Sequence, residues 1–139
     1  MIKVILIIVL IFWTNFNFYA QSVYKYDPET KIVSNWEAKY KFNYFFNYDF
    51  DLNLAGKSVY APSILAIEIS GGTGRLISFV NEKVIFQITK CKVFSDSFVF
   101  TLKNQNGAEF RGTLWLNEDN SINKFVYRNP ASGTGFVLY

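Results

Sequence analysis

The residue types in this chain restrict the chemistry that it could perform. Its 139 residues include no histidine, which excludes Ser-His-Asp and Cys-His catalysis and the usual zinc sites. A pair of carboxylates could still act as general acid and base in a hydrolase. The candidate carboxylates are Glu37, Asp49, Asp51, Glu68, Glu82, Glu109 and Glu118. Nothing else in the sequence supports a carboxylate-based hydrolase. It is therefore kept only as an alternative, and a protein without enzymatic activity is favoured.

Three other features that could carry chemistry have simpler interpretations. Cys91 is the only cysteine, and we expect it to be a buried small hydrophobic residue. The glycine-rich segment 71–75 lacks the Gly-Lys-Ser/Thr ending of a phosphate loop, so it predicts a hairpin turn. The oxygen-rich segment 117–121 lacks the spacing of a calcium loop, so it predicts a plain turn. No metal and no cofactor is predicted.

The clearest pattern is an alternation of aromatic and polar residues that begins at Trp36. The even positions up to Phe50 are apolar, and among the odd positions only Phe45 interrupts a polar series. Successive strand residues point to opposite faces, so every even residue in this segment should face inward. This predicts either one strongly curved strand or a turn at 47–49 after which the even residues still face inward. Phe42→Asp and Phe46→Asp should then both unfold the domain, whereas Lys41→Asp should have little effect.

Tyrosines in this row indicate a partly wet face, because a buried phenol hydroxyl needs a partner. Such a face could be plain core, a ligand cavity or a membrane-facing band. Trp115 lies on the strand face opposite to its neighbours, where we expect partial burial and where an indole can stack on a sugar or anchor a partner. The candidate ligand-binding residues are Trp36, Tyr40, Tyr44, Tyr48 and Trp115.

The elements that must position these residues are short strands separated by turn chemistry. Strands are predicted at 64–69, 75–80, 84–94, 98–103, 110–116, 122–127 and 136–139. This predicts an all-β domain, an antiparallel meander of about seven to nine strands that closes into a small barrel, with a sandwich as the alternative. The barrel is similar in architecture alone to lipocalin-like or avidin-like folds. A short helix within 27–40, capped by Asp27, is a further alternative. On its strand, Glu68 should point to solvent.

The first twenty residues have the plan of a secretory signal peptide. Lys3 precedes an apolar run over 4–13, and Ala20 precedes Gln21. A spanning helix needs about 20 apolar residues, so this run is too short for an anchor. We therefore expect a signal peptide at 1–20, one β domain at 21–139, and a secreted or periplasmic location after cleavage near Ala20–Gln21.

The formal charge of +3 does not form the basic stripe of a nucleic-acid binder, so no nucleic-acid partner is predicted. The favoured hypothesis is an exported binding or interaction module whose partner is a small apolar or sugar-like ligand or another protein. An eight-stranded outer-membrane barrel is the alternative; membrane association is thus considered but not favoured.

Overall fold

The computed structural model describes residues 23–79 and 82–139. The described residues form strands and turns only. The strands are β1 (Tyr24–Tyr26), β2 (Val33–Asp49), β3 (Leu54–Ala55), β4 (Val59–Ser70), β5 (Thr73–Phe79), β6 (Lys83–Val93), β7 (Ser97–Lys103), β8 (Glu109–Leu116), β9 (Ile122–Asn129) and β10 (Thr134–Leu138). The predicted signal peptide, 1–20, lies outside the described residues. The alternative of a helix within 27–40 is wrong, because residues 28–30 form a turn and β2 begins at Val33.

Strand pairing closes the sheet into a barrel. Strands β4 to β10 pair in sequence order, and β2 pairs with β10 along one edge and with β4 along the other. These eight strands form a closed antiparallel barrel, to which the short strands β1 and β3 add on β2. The predicted all-β barrel of about seven to nine strands is confirmed.

The turns that connect the strands follow the predicted chemistry. Gly71 and Gly72 join β4 to β5 with φ values of 65° and 86°, the left-handed conformation that a two-residue hairpin of this kind requires. Asn120, with φ of 67°, lies in the turn between β8 and β9. Glu68 accepts a hydrogen bond of 2.6 Å from Arg75 across the β4–β5 hairpin, on the outer surface. Both predicted turns and the outward position of Glu68 are confirmed.

Large apolar side chains fill the barrel interior at the end where β2 begins, and we call this the closed end. Trp36 lies 4.4 Å from Phe98 and 5.9 Å from Phe100 between ring centroids. A Cβ added to Gly112 would lie 2.7 Å from the Phe125 ring, so this glycine makes room for the ring. The largest fully buried side chains are Phe100, Phe125, Leu65, Ile67, Leu76, Ile88, Leu102, Leu114, Leu138, Val33 and Cys91. Burial of a large apolar side chain contributes about 1.5–3 kcal/mol, so this core is the main source of stability.

The aromatic row of β2 changes face half-way along the strand. Phe42 is buried in the core, but Phe45 packs against the core while Phe46 contacts Tyr139 on the outside. The N–H groups of Asn43 and Tyr44 both donate to the Tyr139 carbonyl at 3.0 Å, so two residues of β2 oppose one residue across the sheet. This is a β-bulge, which re-aims the side chains that follow it.

The bulge corrects one prediction and leaves another intact. The β2–β4 register also shifts between Phe42 and Tyr44. The expectation that every even residue from Trp36 to Phe50 faces inward is therefore wrong beyond Phe42. The expectation of one long strand is confirmed, since β2 runs without interruption to Asp49 and the turn at 47–49 is not formed.

Cys91 is fully buried, as predicted, and burial raises the pKa of its thiol to about 12. Because the thiolate is the reactive form, we expect iodoacetamide to label the native protein at pH 8 at least about a hundredfold more slowly than the urea-unfolded chain. Mass spectrometry of timed samples measures both rates. Equal rates would show that Cys91 is accessible in the folded protein.

Candidate binding surfaces

The end of the barrel opposite to the closed end holds a cleft of about 600 Å³, which we call the mouth cleft. It forms where β2 and β9 end and β8 and β10 begin. Small-molecule sites typically have volumes of about 300–1,000 Å³, so the mouth cleft has a suitable size. Its lining residues are Asn47, Tyr48, Asp49, Leu54, Ala55, Gly56, Phe110, Tyr127, Asn129, Thr134, Gly135 and Phe136.

Three stacked rings form the aromatic floor of the mouth cleft. The Tyr127 ring lies 5.2 Å from Phe110 and 4.6 Å from Phe136, with interplanar angles of 23° and 20°. Phe86 supports the stack from the core, 5.2 Å from Tyr127. Strand register explains the stack, because Tyr127 pairs with Phe136 on one side and with Gly112, which has no side chain, on the other.

Polar groups surround this floor. Asp49 Oδ1 accepts the N–H groups of Asp51 and Leu52 at 3.1 and 3.0 Å, and Asn129 Oδ1 accepts the N–H of Ala131 at 3.0 Å. These bonds hold the adjoining turns. Among the described residues, Asp49 Oδ2 and the Asn129 amide nitrogen have no hydrogen-bond partner, so both groups could bind a ligand.

Tyr127 adds a hydroxyl to the mouth cleft. The residue is only 9% exposed, and burial raises the pKa of its phenol well above the ordinary value. The hydroxyl therefore stays protonated and able to donate a hydrogen bond at any physiological pH. Within the described part of the chain it has no hydrogen-bond partner.

A second surface lies outside the barrel. Outside the barrel, six rings form a continuous series, which we call the outer ladder; they come from β2, the turn that follows it, β4 and Tyr139. In spatial order its rings are Tyr60, Tyr44, Tyr139, Phe46, Tyr48 and Phe50, with successive centroids 5.4, 5.5, 5.8, 6.2 and 4.8 Å apart. The hydroxyl of Tyr48 donates to Asn53 Oδ1, and that of Tyr139 contacts the Ser58 hydroxyl. The ladder is therefore held in place on the surface.

A shallow groove of about 520 Å³ runs beside the outer ladder, and we call it the outer groove. Val126 and Val137 form its apolar base. Phe46, Tyr48, Phe50 and Tyr139 of the ladder border it, together with Asn53, Asn123 and Lys124. The outer groove thus combines ring faces with amide and ammonium groups.

The five predicted ligand-binding residues do not come together in one site. Trp36 is buried at the closed end, with Tyr40 packed against the same core. Tyr44 and Tyr48 belong to the outer ladder, and Tyr48 also lines the mouth cleft. Trp115 lies on the outer face of β8, opposite Lys124, and is partly buried as expected. The bulge in β2 separates the first pair from the second.

The floor residues of the mouth cleft were not predicted, although the sequence contains a signal for them. In an antiparallel meander, every second turn lies at the same end of the sheet. Phe110 follows the turn at 104–108, while Tyr127 precedes and Phe136 follows the turn at 130–133. These are alternate turns, so aromatic residues beside them must meet at one end of the barrel.

No protein-family model, curated protein or solved structure matches this chain. In the described ranges, no group of three or more His, Cys, Asp or Glu side chains could hold a metal ion. The same ranges contain no helix that is long and apolar enough to cross a membrane. The function must therefore be inferred from the surfaces of the chain itself.

Proposed function

We propose that this chain is an exported β-barrel that binds a small, largely apolar or sugar-like ligand in its mouth cleft. The observation that carries this proposal is the stacked aromatic floor around Tyr127, whose hydroxyl forms no hydrogen bond with the described residues. A ligand in the mouth cleft can accept a hydrogen bond from this hydroxyl.

The lining of the cleft favours a flat ligand with a few polar groups. Aromatic rings attract other rings in offset stacks with centroids about 4.5–7 Å apart, and the floor offers three near-parallel faces. The polar rim supplies a carboxylate at Asp49 and amides at Asn47 and Asn129. Export is supported by Lys3, the apolar run over 4–13 and the Ala20–Gln21 junction.

The distribution of charge does not support the alternative of an outer-membrane barrel. Membrane barrels present apolar side chains outward and polar ones inward. Here the interior is apolar, and Glu37, Lys39 and Lys41 are exposed on the outer face of β2. The outward Glu68 and Arg75 extend the charged surface to β4 and β5. Such charges would be costly against lipid.

The hydrolase alternative is also less favoured than binding. The register places Glu37 directly opposite Glu68, which is the arrangement that two catalytic carboxylates would need. However, Glu68 is 42% exposed on an open face and forms a salt bridge of 2.6 Å with Arg75. This open, ion-paired arrangement differs from the enclosed site in which a catalytic carboxyl usually acts.

Fluorescence titration with the apolar probe N-phenyl-1-naphthylamine tests the proposal. We expect saturable binding of one probe per folded chain. Ala55→Trp, which places a large side chain at the exposed rim of the mouth cleft, should weaken binding about tenfold or more, equivalent to about 1.4 kcal/mol. Ala131→Trp is the matched control, because Ala131 is also exposed beside this end of the barrel but does not line the cleft.

Both variants should melt within a few degrees of the unmodified protein, because both residues are exposed. The proposal would be wrong if the folded protein did not bind the probe. It would also be wrong if both tryptophan variants bound the probe as tightly as the unmodified protein.

A further inference from the structure

Three basic side chains lie on the outer surface near the outer groove. Lys124 borders the groove on β9, Arg128 follows on the same strand, and the register places Arg111 of β8 directly opposite Arg128. Like charges directly opposite each other on adjacent strands destabilise a sheet. The acidic group nearest Arg128 is Asp51 at 3.9 Å, in a pair whose side chains are 47% and 66% exposed. An exposed pair of this kind contributes little, so the positive charge is largely available.

Aromatic rings alternate with these charges. The Arg128 guanidinium lies 5.1 Å from the centroid of the Phe50 ring, at one end of the outer ladder. Lys124 lies opposite Trp115 in the β8–β9 register and lines the outer groove together with Tyr139. Lys124 and Arg128 therefore each have an aromatic ring nearby, so a bound group could contact a cation and a ring face together.

Much of this surface is exposed. Tyr44, Tyr60 and Tyr139 are 42%, 66% and 41% exposed. Tyrosine offers large contact area at low entropic cost and a hydroxyl at its edge. Asn53 and Asn123 lie at the border of the groove, where amides can bond hydroxyl groups. A shallow groove with these groups fits an elongated ligand that carries both apolar faces and hydroxyls.

We propose that the outer groove binds an acidic oligosaccharide, a chain of sugar rings that bear carboxylate or sulfate groups. The sugar rings stack on the outer ladder, the amides of Asn53 and Asn123 bond sugar hydroxyls, and Lys124 and Arg128 pair with the anionic groups. This goes beyond ligand binding in the mouth cleft and uses a different face of the barrel.

Two other polyanions fit the surface less well. A nucleic acid requires a longer series of basic residues along its phosphates, and three cations interrupted by Asp51 do not supply it. An anionic membrane would have to desolvate Asp51, Asn53 and Asn123, which lie among the rings, and burial of unpaired polar groups is costly.

Isothermal titration calorimetry with hexagalacturonate tests the proposal. At 50 mM NaCl we expect saturable binding, and at 500 mM NaCl an affinity about tenfold lower because salt screens the exposed charges. The neutral oligosaccharide cellohexaose should bind at least about tenfold more weakly, equivalent to about 1.4 kcal/mol.

Two variants separate the contributions of charge and stacking. Lys124→Gln/Arg128→Gln should weaken binding about tenfold or more and flatten its salt dependence, whereas Lys41→Gln/Lys90→Gln, which removes the same charge elsewhere on the surface, should not. Phe46→Leu keeps an apolar side chain but removes the ring face, and it should weaken binding at all salt concentrations. Thermal melts of all variants establish that they remain folded.

The proposal would be overturned if cellohexaose bound as tightly as hexagalacturonate. It would also be overturned if the Lys124→Gln/Arg128→Gln variant kept its full affinity and salt dependence. Tighter binding of phosphatidylglycerol vesicles or duplex DNA through the same two residues would assign the groove to a lipid surface or to nucleic acid instead.

Discussion

Phe42→Asp is expected to unfold the barrel, whereas Phe46→Asp, on the same strand, is expected to leave it folded. Phe42 is 3% exposed within the core, and an uncompensated buried carboxylate costs several kcal/mol in addition to the roughly 1.5–3 kcal/mol of lost aromatic burial. This is a large part of the about 5–15 kcal/mol that stabilises a domain. Phe46 faces outward against Tyr139, so a carboxylate there stays hydrated. Urea unfolding followed by tryptophan fluorescence measures both effects.

Lys41→Asp is the control for Phe42→Asp, because Lys41 is the exposed residue next to it on β2. We expect its free energy of unfolding to change by no more than about 0.5 kcal/mol. If Phe46→Asp unfolded the protein as completely as Phe42→Asp, both phenylalanine side chains would point into the core. The bulge at Asn43–Tyr44 would then be absent from the folded protein.

The architecture could be predicted from the sequence because its signals are local. Turn residues such as Gly71, Gly72 and Asn120 adopt the left-handed conformations that their types favour, and these positions set where each strand starts and stops. Between the turns, the alternation of apolar and polar residues along each strand then predicts which side chains fill the interior. A closed sheet follows when such strands are curved and have no partner for their edges.

The change of face in β2 could not be predicted in the same way. Asn43 and Tyr44 bulge because both donate to the carbonyl of Tyr139, which comes from the far end of the chain. Only Phe45, the apolar residue at an odd position, gave a local sign of the change. Alternation alone treats such a residue as an exception, whereas it marks the point at which the inward face moves from even to odd positions.

The sequence predicted only some residues of the candidate surfaces, because these surfaces also depend on contacts between distant parts of the chain. Tyr44, Tyr48 and Trp115 are partly or largely accessible, but they lie outside the barrel and not in an internal cavity. The mouth cleft depends on Tyr127 and Phe136 meeting across the β9–β10 pair. Such contacts depend on register between strands, which is set by the complete barrel and not by any one segment.

Gly135→Ala is expected to be strongly destabilising, because the neighbouring strand leaves no space for a side chain at this position. A Cβ at residue 135 would lie 1.8 Å from the Tyr127 carbonyl oxygen and 2.8 Å from its carbonyl carbon. These are backbone atoms of β9, so relief requires the two strands to separate. We expect a loss of about 3 kcal/mol or more in the free energy of unfolding, at or above the usual cost of overpacking, measured by urea denaturation.

Gly71→Asn distinguishes this clash from a general intolerance of substitution at glycine. Gly71 has φ of 65° and no atom within 4 Å of an added Cβ, and asparagine is well suited to this position of a two-residue hairpin, so we expect a change within about 0.5 kcal/mol. Gly135→Ala should also weaken binding of N-phenyl-1-naphthylamine, because separating β9 from β10 moves Tyr127 away from Phe136. Unchanged stability and unchanged probe binding in Gly135→Ala would show that the close approach of these strands does not support the floor of the mouth cleft.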